Sequence, residues 1–409
     1  MIDRFMIQGR CVRKLTAQMG KGDQRQIPGL DGVRGLAVLL VIAYHYRLAL
    51  KSEDVFSKIW IHGSSLGWCG VDIFFVLSGF LITGILLDMK GTPHYFRNFY
   101  ARRTLRIFPL YFGVLAVVYL LLPLIARARL APDYWPFHHW QMWQWTYLTN
   151  FGMAIHGPPA AMTSQISLGH FWTLSVEEHF YLFWPAIVFA LSPRQLKAAC
   201  IFLGGAALIL RCVLAFGHLN LIGLTPFRLD TLCLGGLLAI YAREGPLTIR
   251  NRPLLVASLA YMTFVAWKFS VELSLPLHPA YQVVAWIAVD VLSVWLVIAG
   301  ITGFALFRLP VLRAIGKYSY GIYVYHFLFF EPIKWNLPPL IGRHVHNPLL
   351  GNLTFLAIMV PSVLLFSVAS YHLYESRFLK LKRFFPAGNP PQDKSRHGDG
   401  MKVEQVTVE

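Results

Sequence analysis

An arginine and a histidine stand eleven residues apart in GLDGVRGLAVLLVIAYHYRL, residues 29–48, where most of the intervening residues are apolar. On a helix, eleven residues turn about 1100°, three full turns plus about 20°, so Arg34 and His45 share a face about 16 Å apart along the axis. A buried imidazole can serve as a general base or as a nucleophile. Arg34 alone reads as a basic anchor at a membrane edge. Sharing a face with His45 makes both candidates for the lining of one cavity, because ionisable groups inside membranes are rare and usually functional.

Other ionisable residues follow along the chain. Asp72, in GVDIFFVLSGFLITGILL, is either an aspartate at the water interface or a buried carboxylate partnered by His45. Arg103 and Arg106, in NFYARRTLRIFPLYF, project from neighbouring positions of one turn. Two such forks suit a phosphate, whereas Arg102 reads as a basic anchor. The paired Glu177 and Glu178, in GHFWTLSVEEHFYLFWP, point about 100° apart, so they do not easily share one partner. Arg228 and Asp230 are close enough in sequence to neutralise each other, and His326 reads as a hydrogen-bonded packing residue. GSSLG at 63–67 matches a nucleophile elbow around Ser65, but that motif needs a strand–turn–helix in a large sheet and here falls in a short external loop. No metal-site, phosphate-loop or dinucleotide fingerprint is present.

The elements that must position these residues are membrane helices. The chain of 409 residues is 56% hydrophobic and only 14% charged. A soluble chain carries roughly a quarter charged residues, so the composition indicates an all-α polytopic membrane protein. Ten apolar runs reach membrane-crossing length: 30–50, 66–88, 107–126, 171–191, 197–216, 226–242, 253–271, 283–306, 318–333 and 351–373. The net charge of +17 lies in clusters between these runs, which argues against a nucleic-acid partner. Of the 37 Lys and Arg residues, 27 fall in the segments that are cytoplasmic if the N-terminus is inside, and seven fall in external loops. That asymmetry places both termini in the cytoplasm, and losing one span would scramble it.

The domain reading is a cytoplasmic segment over 1–27, a membrane domain over 28–377, and a basic, then disordered, cytoplasmic tail over 378–409. No cleavable leader is evident, so the first helix is expected to act as its own insertion signal. The five cysteines are scattered, with no disulfide framework and no metal-ligand spacing. Residues 127–170 are rich in aromatics (Tyr134, Trp135, Trp140, Trp143, Trp145 and Tyr147) and read either as an interfacial belt or as a platform for stacking sugar rings.

Taken together, GLDGVRGLAVLLVIAYH, GVDIFFVLSGFLI, RRTLRIFPLY, FWTLSVEEHFYLFWP, RLDTLCLGG and YSYGIYVYHF resemble the acyltransferase 3 family of integral membrane O-acyltransferases. The six motifs run in order from about residue 28 to about 377. The resemblance implies transfer of an acyl group, usually acetyl, from cytoplasmic acyl-CoA to a hydroxyl. The acceptor would be a cell-surface or extracellular carbohydrate or lipid-linked glycan, or in some branches a small molecule such as a macrolide. It further implies a multi-pass protein of the plasma (inner) membrane, with His45 catalytic, Arg34 its partner, and Arg103 and Arg106 on the CoA. Asp72 or Glu178 would orient His45. No metal is implied. The sequence departs from the family at His179, where glutamine is common, and no SGNH-type hydrolase domain is evident, so a stand-alone form is expected. A proton-coupled transporter would also bury His, Asp, Glu and Arg in about ten spans, but no repeat halves are visible.

Overall fold

The computed structural model describes residues 27–46, 55–126, 129–130, 132–157, 162–163, 165–217, 221, 223–247, 252–271 and 279–386. The basic N-terminal segment before residue 27, the tail beyond 386 and Cys11 lie outside the described residues. Among the described residues the protein is all-helical, with no strand beyond one isolated bridge between Met162 and Ser167.

Within its described residues, each apolar run overlaps a helix. These are α1 (Pro28–His45), then α2 (Val55–Ser65) leading through a short turn into α3 (Cys69–Met89), and α4 (Tyr95–Ala116), which continues to Ile125. Three short helices follow: α5 (Tyr134–His139), α6 (Gln141–Trp145) and α7 (Thr149–His156). The remainder are α8 (Phe171–Ala190), α9 (Pro193–Phe216), α10 (Leu229–Glu244), α11 (Arg252–Val271), α12 (Pro279–Thr302), α13 (Pro310–Lys317), α14 (Ser319–Ile333), α15 (Leu337–Gly342) and α16 (Pro348–Ser370). The starts follow from local chemistry. Proline occupies the first turn of α1, α9 and α16, where its missing N–H costs nothing. Ser192 and Gln195 form a reciprocal capping box at α9.

Among the described residues, five helical stretches are long and apolar enough to cross a membrane: Val55–Met89, Tyr95–Ile125, Pro193–Phe216, Pro279–Thr302 and Pro348–Phe384. Their outward faces carry large exposed apolar side chains, including Phe202, Ile209, Val213 and Leu365. Such a surface belongs against lipid rather than water.

Helices α1 and α3 form the centre of the bundle. α1 packs on α13, α3 and α12, while α3 packs most extensively on α10. Small residues make this possible. A Cβ on Gly32 or Gly35 would overlap the carbonyl of Phe307 or Leu312, and Gly79 and Gly235 meet backbone across the α3–α10 seam. With apolar lipid outside, close backbone approach of this kind takes over much of the role that hydrophobic burial plays in water.

Part of the aromatic segment packs into the bundle. Tyr134 and Tyr147 are buried, and Tyr134 Oη donates to Val118 O at 2.7 Å. Tyr147 stacks on Tyr111 at 4.0 Å and Trp145 on Phe112 at 5.8 Å, so those ring faces are already used. Ser65 ends α2 rather than lying in a loop, and its hydroxyl donates to His62 O at 2.7 Å. Cys69, Cys200, Cys212 and Cys233 are free thiols.

Candidate active site

Five helices bring three arginines, two glutamates and a row of hydroxyls to one cavity of about 120 Å³. α1 contributes Arg34, α4 contributes Arg103 and Arg106, and α8 contributes Thr173, Glu177, Glu178 and Tyr181. α3 adds Phe74, Phe75 and Ser78, and α14 adds Ser319, Tyr320 and Tyr323. Arg34 is held by Asp31, one turn back, at 3.0 Å. Arg103 lies 5.4 Å over the Tyr181 ring, and the Tyr181 hydroxyl is 2.6 Å from Ser78 Oγ. Glu177 faces Ser78, Tyr181 and Arg103, so the two adjacent glutamates do enter the same cavity.

The cavity has two ends. α1 and α14 run from the arginine end, at Arg34 and Ser319, towards His45 and His326. α8 runs the opposite way, from His170 and Thr173 down to Glu177, Glu178 and Tyr181. At the far end, the Tyr323 hydroxyl meets Thr173 Oγ1 at 2.6 Å, and both reach the carbonyl of His170. His45 does not line the cavity; it lies beyond this hydroxyl pair.

There His45 joins two other histidines. Its ring centroid is 5.1 Å from His326 and 4.7 Å from Phe327, and His326 is 5.0 Å from His170. His45 Nδ1 lies 2.9 Å from the carbonyl of Val41. A carbonyl can only accept, so Nδ1 carries the proton and, in the neutral ring, Nε2 is the basic nitrogen. The backbone thus orients His45 in the way a carboxylate orients a catalytic histidine elsewhere. No group of three His, Cys, Asp or Glu among the described residues is arranged to hold a metal ion.

The two carboxylates expected to orient His45 are placed elsewhere. Asp72 Oδ1 accepts from Arg228 Nη1 at 2.9 Å. The cause is the helix itself. Gly70 faces Ala37 and Val41 of α1, and two residues further the helix has turned about 200°, so Asp72 points away from α1 towards α10. Glu178 lines the arginine cavity, five residues below Thr173 and about 7.5 Å towards the arginine end. The Arg228–Asp230 pairing is also replaced. Arg228 closes a short turn ahead of α10 and bonds Asp72, whereas Asp230 bonds Arg211 of α9. Residues two apart on a helix do not face each other, which is why the local pair does not form. Asp290 of α12 stands close to all four charges, giving a buried network of three carboxylates and two guanidiniums. Trp286 covers Arg211 at 4.3 Å, and Trp172 lies 5.3 Å from Arg228.

His179 contacts Thr225 Oγ1 at 2.6 Å through Nδ1, so the departure from glutamine keeps a polar bond to the turn before α10. His170, Thr173, Tyr181, Tyr323 and the Arg211–Asp290 side of the network were not anticipated as site residues. His170 falls just ahead of an apolar run and resembles a loop residue. Only the long-range pairing of α8 with α14 reveals it, through the bond from His170 Nε2 to Val324 O at 3.1 Å.

The profile of a family described as an acyltransferase domain matches residues 27–372. A Staphylococcus aureus (strain COL) protein named "Putative O-acetyltransferase SACOL0978" is 31% identical over 329 residues, which cover 74% of this chain and 50% of that protein. Peptidoglycan O-acetyltransferase OatA of Listeria monocytogenes is 30% identical over 213 residues, 49% of this chain and 29% of that protein. "Putative peptidoglycan O-acetyltransferase YrhL" of Bacillus subtilis is 36% identical over 172 residues, 39% of this chain and 23% of that protein. The chain therefore spans about half the length, or less, of these curated relatives. No solved structure gives a significant match.

Proposed function

The chain belongs to the acyltransferase 3 family, and on that premise we propose that it is a multi-pass O-acetyltransferase of the plasma membrane. It moves an acetyl group from cytoplasmic acyl-CoA to a hydroxyl of a cell-surface carbohydrate. The peptidoglycan named for two of its relatives is the leading acceptor class. Ten crossings with both termini in the cytoplasm put Arg103 and Arg106 on the donor side. The observation that carries the reading is the alignment of Arg34, Arg103 and Arg106 at one end of the cavity with His45 beyond the other end.

Arg34, Arg103 and Arg106 hold the CoA phosphates by bidentate hydrogen bonds. The pantetheine arm lies along the cavity and delivers the thioester past the Thr173–Tyr323 hydroxyl pair. His45 Nε2 takes the proton of the acceptor hydroxyl as the hydroxyl oxygen attacks the thioester carbon. The C–S bond breaks, the new ester leaves with the acceptor, and the proton on His45 passes to the CoA thiolate. Val41 O keeps the Nδ1 proton of His45 in place throughout. Asp72 acts on this account through Arg228, as part of the frame, and Glu178 faces the arginines.

CoA release from acetyl-CoA by the purified protein, with and without isolated cell-wall glycan, tests the proposal directly. Glycan-dependent release is expected; its absence contradicts it. The Arg103→Ala/Arg106→Ala variant should raise the KM for acetyl-CoA by roughly 10²- to 10⁴-fold, because each of the two arginines gives up at least one charged hydrogen bond of about 1.5–3 kcal/mol. An unchanged KM would move the donor site elsewhere.

A further inference from the structure

His170 and His326 carry an unused hydrogen-bonding capacity next to the transfer point. His326 Nδ1 lies 2.6 Å from the carbonyl of Tyr323, and His170 Nε2 lies 3.1 Å from the carbonyl of Val324. Those nitrogens are therefore the protonated ones, which leaves His326 Nε2 and His170 Nδ1 as bare acceptors. Both are buried and neither has a hydrogen-bond partner among the described residues. Two unsatisfied acceptors on adjoining rings are costly unless something donates to them. The donor must be neutral: the groups that act on His170 and His326 are each other, His45 and backbone carbonyls, with no carboxylate among them, and a buried cation without one is expensive. An aromatic ring adjoins the cluster. Phe327 stacks on His170 at 5.5 Å and stands edge-on to His45 at 4.7 Å.

We infer that His326 and His170 form the acceptor subsite beside His45 and take a polyhydroxylated ligand that presents a second hydroxyl next to the one being acylated. One hydroxyl donates to His45 Nε2 and is acylated. Its neighbour donates to His326 Nε2, with His170 Nδ1 open to a further hydroxyl. Phe327 takes the C–H face of the ring. The inference rests on the acyl-transfer reading above and adds what selects the acceptor.

The test uses the methyl glycoside of the N-acetylglucosaminyl–N-acetylmuramic acid disaccharide and its singly deoxygenated analogues, with acetyl-CoA as donor and kcat/KM as readout. The wild-type protein should lose roughly tenfold for one analogue that retains the acylated hydroxyl, the effect of one net hydrogen bond. In His326→Phe that parent-to-analogue ratio should fall to near one, and His326→Gln, which keeps an acceptor oxygen, should restore part of it. The wild-type series needs no variant, so a folding defect in His326→Phe does not spare the idea. Equal rates for the parent and every such analogue, or undiminished discrimination in His326→Phe, overturn it. CoA release with isolated cell-wall glycan but none with the disaccharide also overturns it. Absence of CoA release with any hydroxyl compound, the glycan included, overturns the acyl-transfer reading itself.

Discussion

His45→Ala should lower acetyl transfer by 10²- to 10⁴-fold, the contribution of a positioned general base, while the protein remains folded. The imidazole is only partly buried, and its Nδ1 bond is to Val41 O of its own helix. Loss of activity together with an unchanged thermal unfolding midpoint would therefore locate the defect in chemistry. A variant that transfers acetyl within threefold of the wild type would remove His45 from the reaction. Activity retained only in His45→Gln would indicate a positioning role, since glutamine cannot take up the proton.

Asp72→Ala should act in the opposite way, through the fold. It leaves Arg228 buried without its carboxylate, a change that costs about 3–5 kcal/mol for a buried pair. The expected result is a large loss of detergent-stable protein and a lowered unfolding midpoint. Asp72→Ala/Arg228→Met, which removes both charges, should recover much of that loss, because a well-packed apolar replacement for a buried pair is often neutral. If Asp72 instead oriented His45, Asp72→Asn would fold normally and lose kcat, and Arg228→Met would not compensate. The two outcomes separate a frame residue from a catalytic one.

That distinction marks where the sequence stops being legible. Spacing along one helix is a local property. It was enough to read Arg34 and His45 as sharing a face and Arg103 and Arg106 as neighbours, and Arg34, Arg103 and Arg106 do line one cavity. The partners of buried charges are a tertiary property. Asp72 and Arg228 are 156 residues apart, and the only nearby candidate for Arg228 was Asp230, which the helix turns away. The histidine cluster was hidden for the same reason. His170 caps the start of α8 and His326 lies in α14, and their value lies in which ring nitrogen a backbone carbonyl has left free. The all-helical architecture was legible because apolar runs of membrane length leave few other options. The runs that fall short of the length-and-apolarity test include α1, α8, α10 and α14. These same helices carry Arg34, His45, Glu177, Glu178, Asp230 and His326, so the polar groups that weaken a hydropathy signal are the ones that build the site.

The central claim is that one path joins the arginine cavity to His45 across the membrane. Proteoliposomes with acetyl-labelled CoA on one face and cell-wall glycan confined to the other measure it most directly. The account predicts labelled glycan on the far face, and none from Arg103→Ala/Arg106→Ala at low donor concentration. Label appearing only when donor and glycan share a face would contradict it.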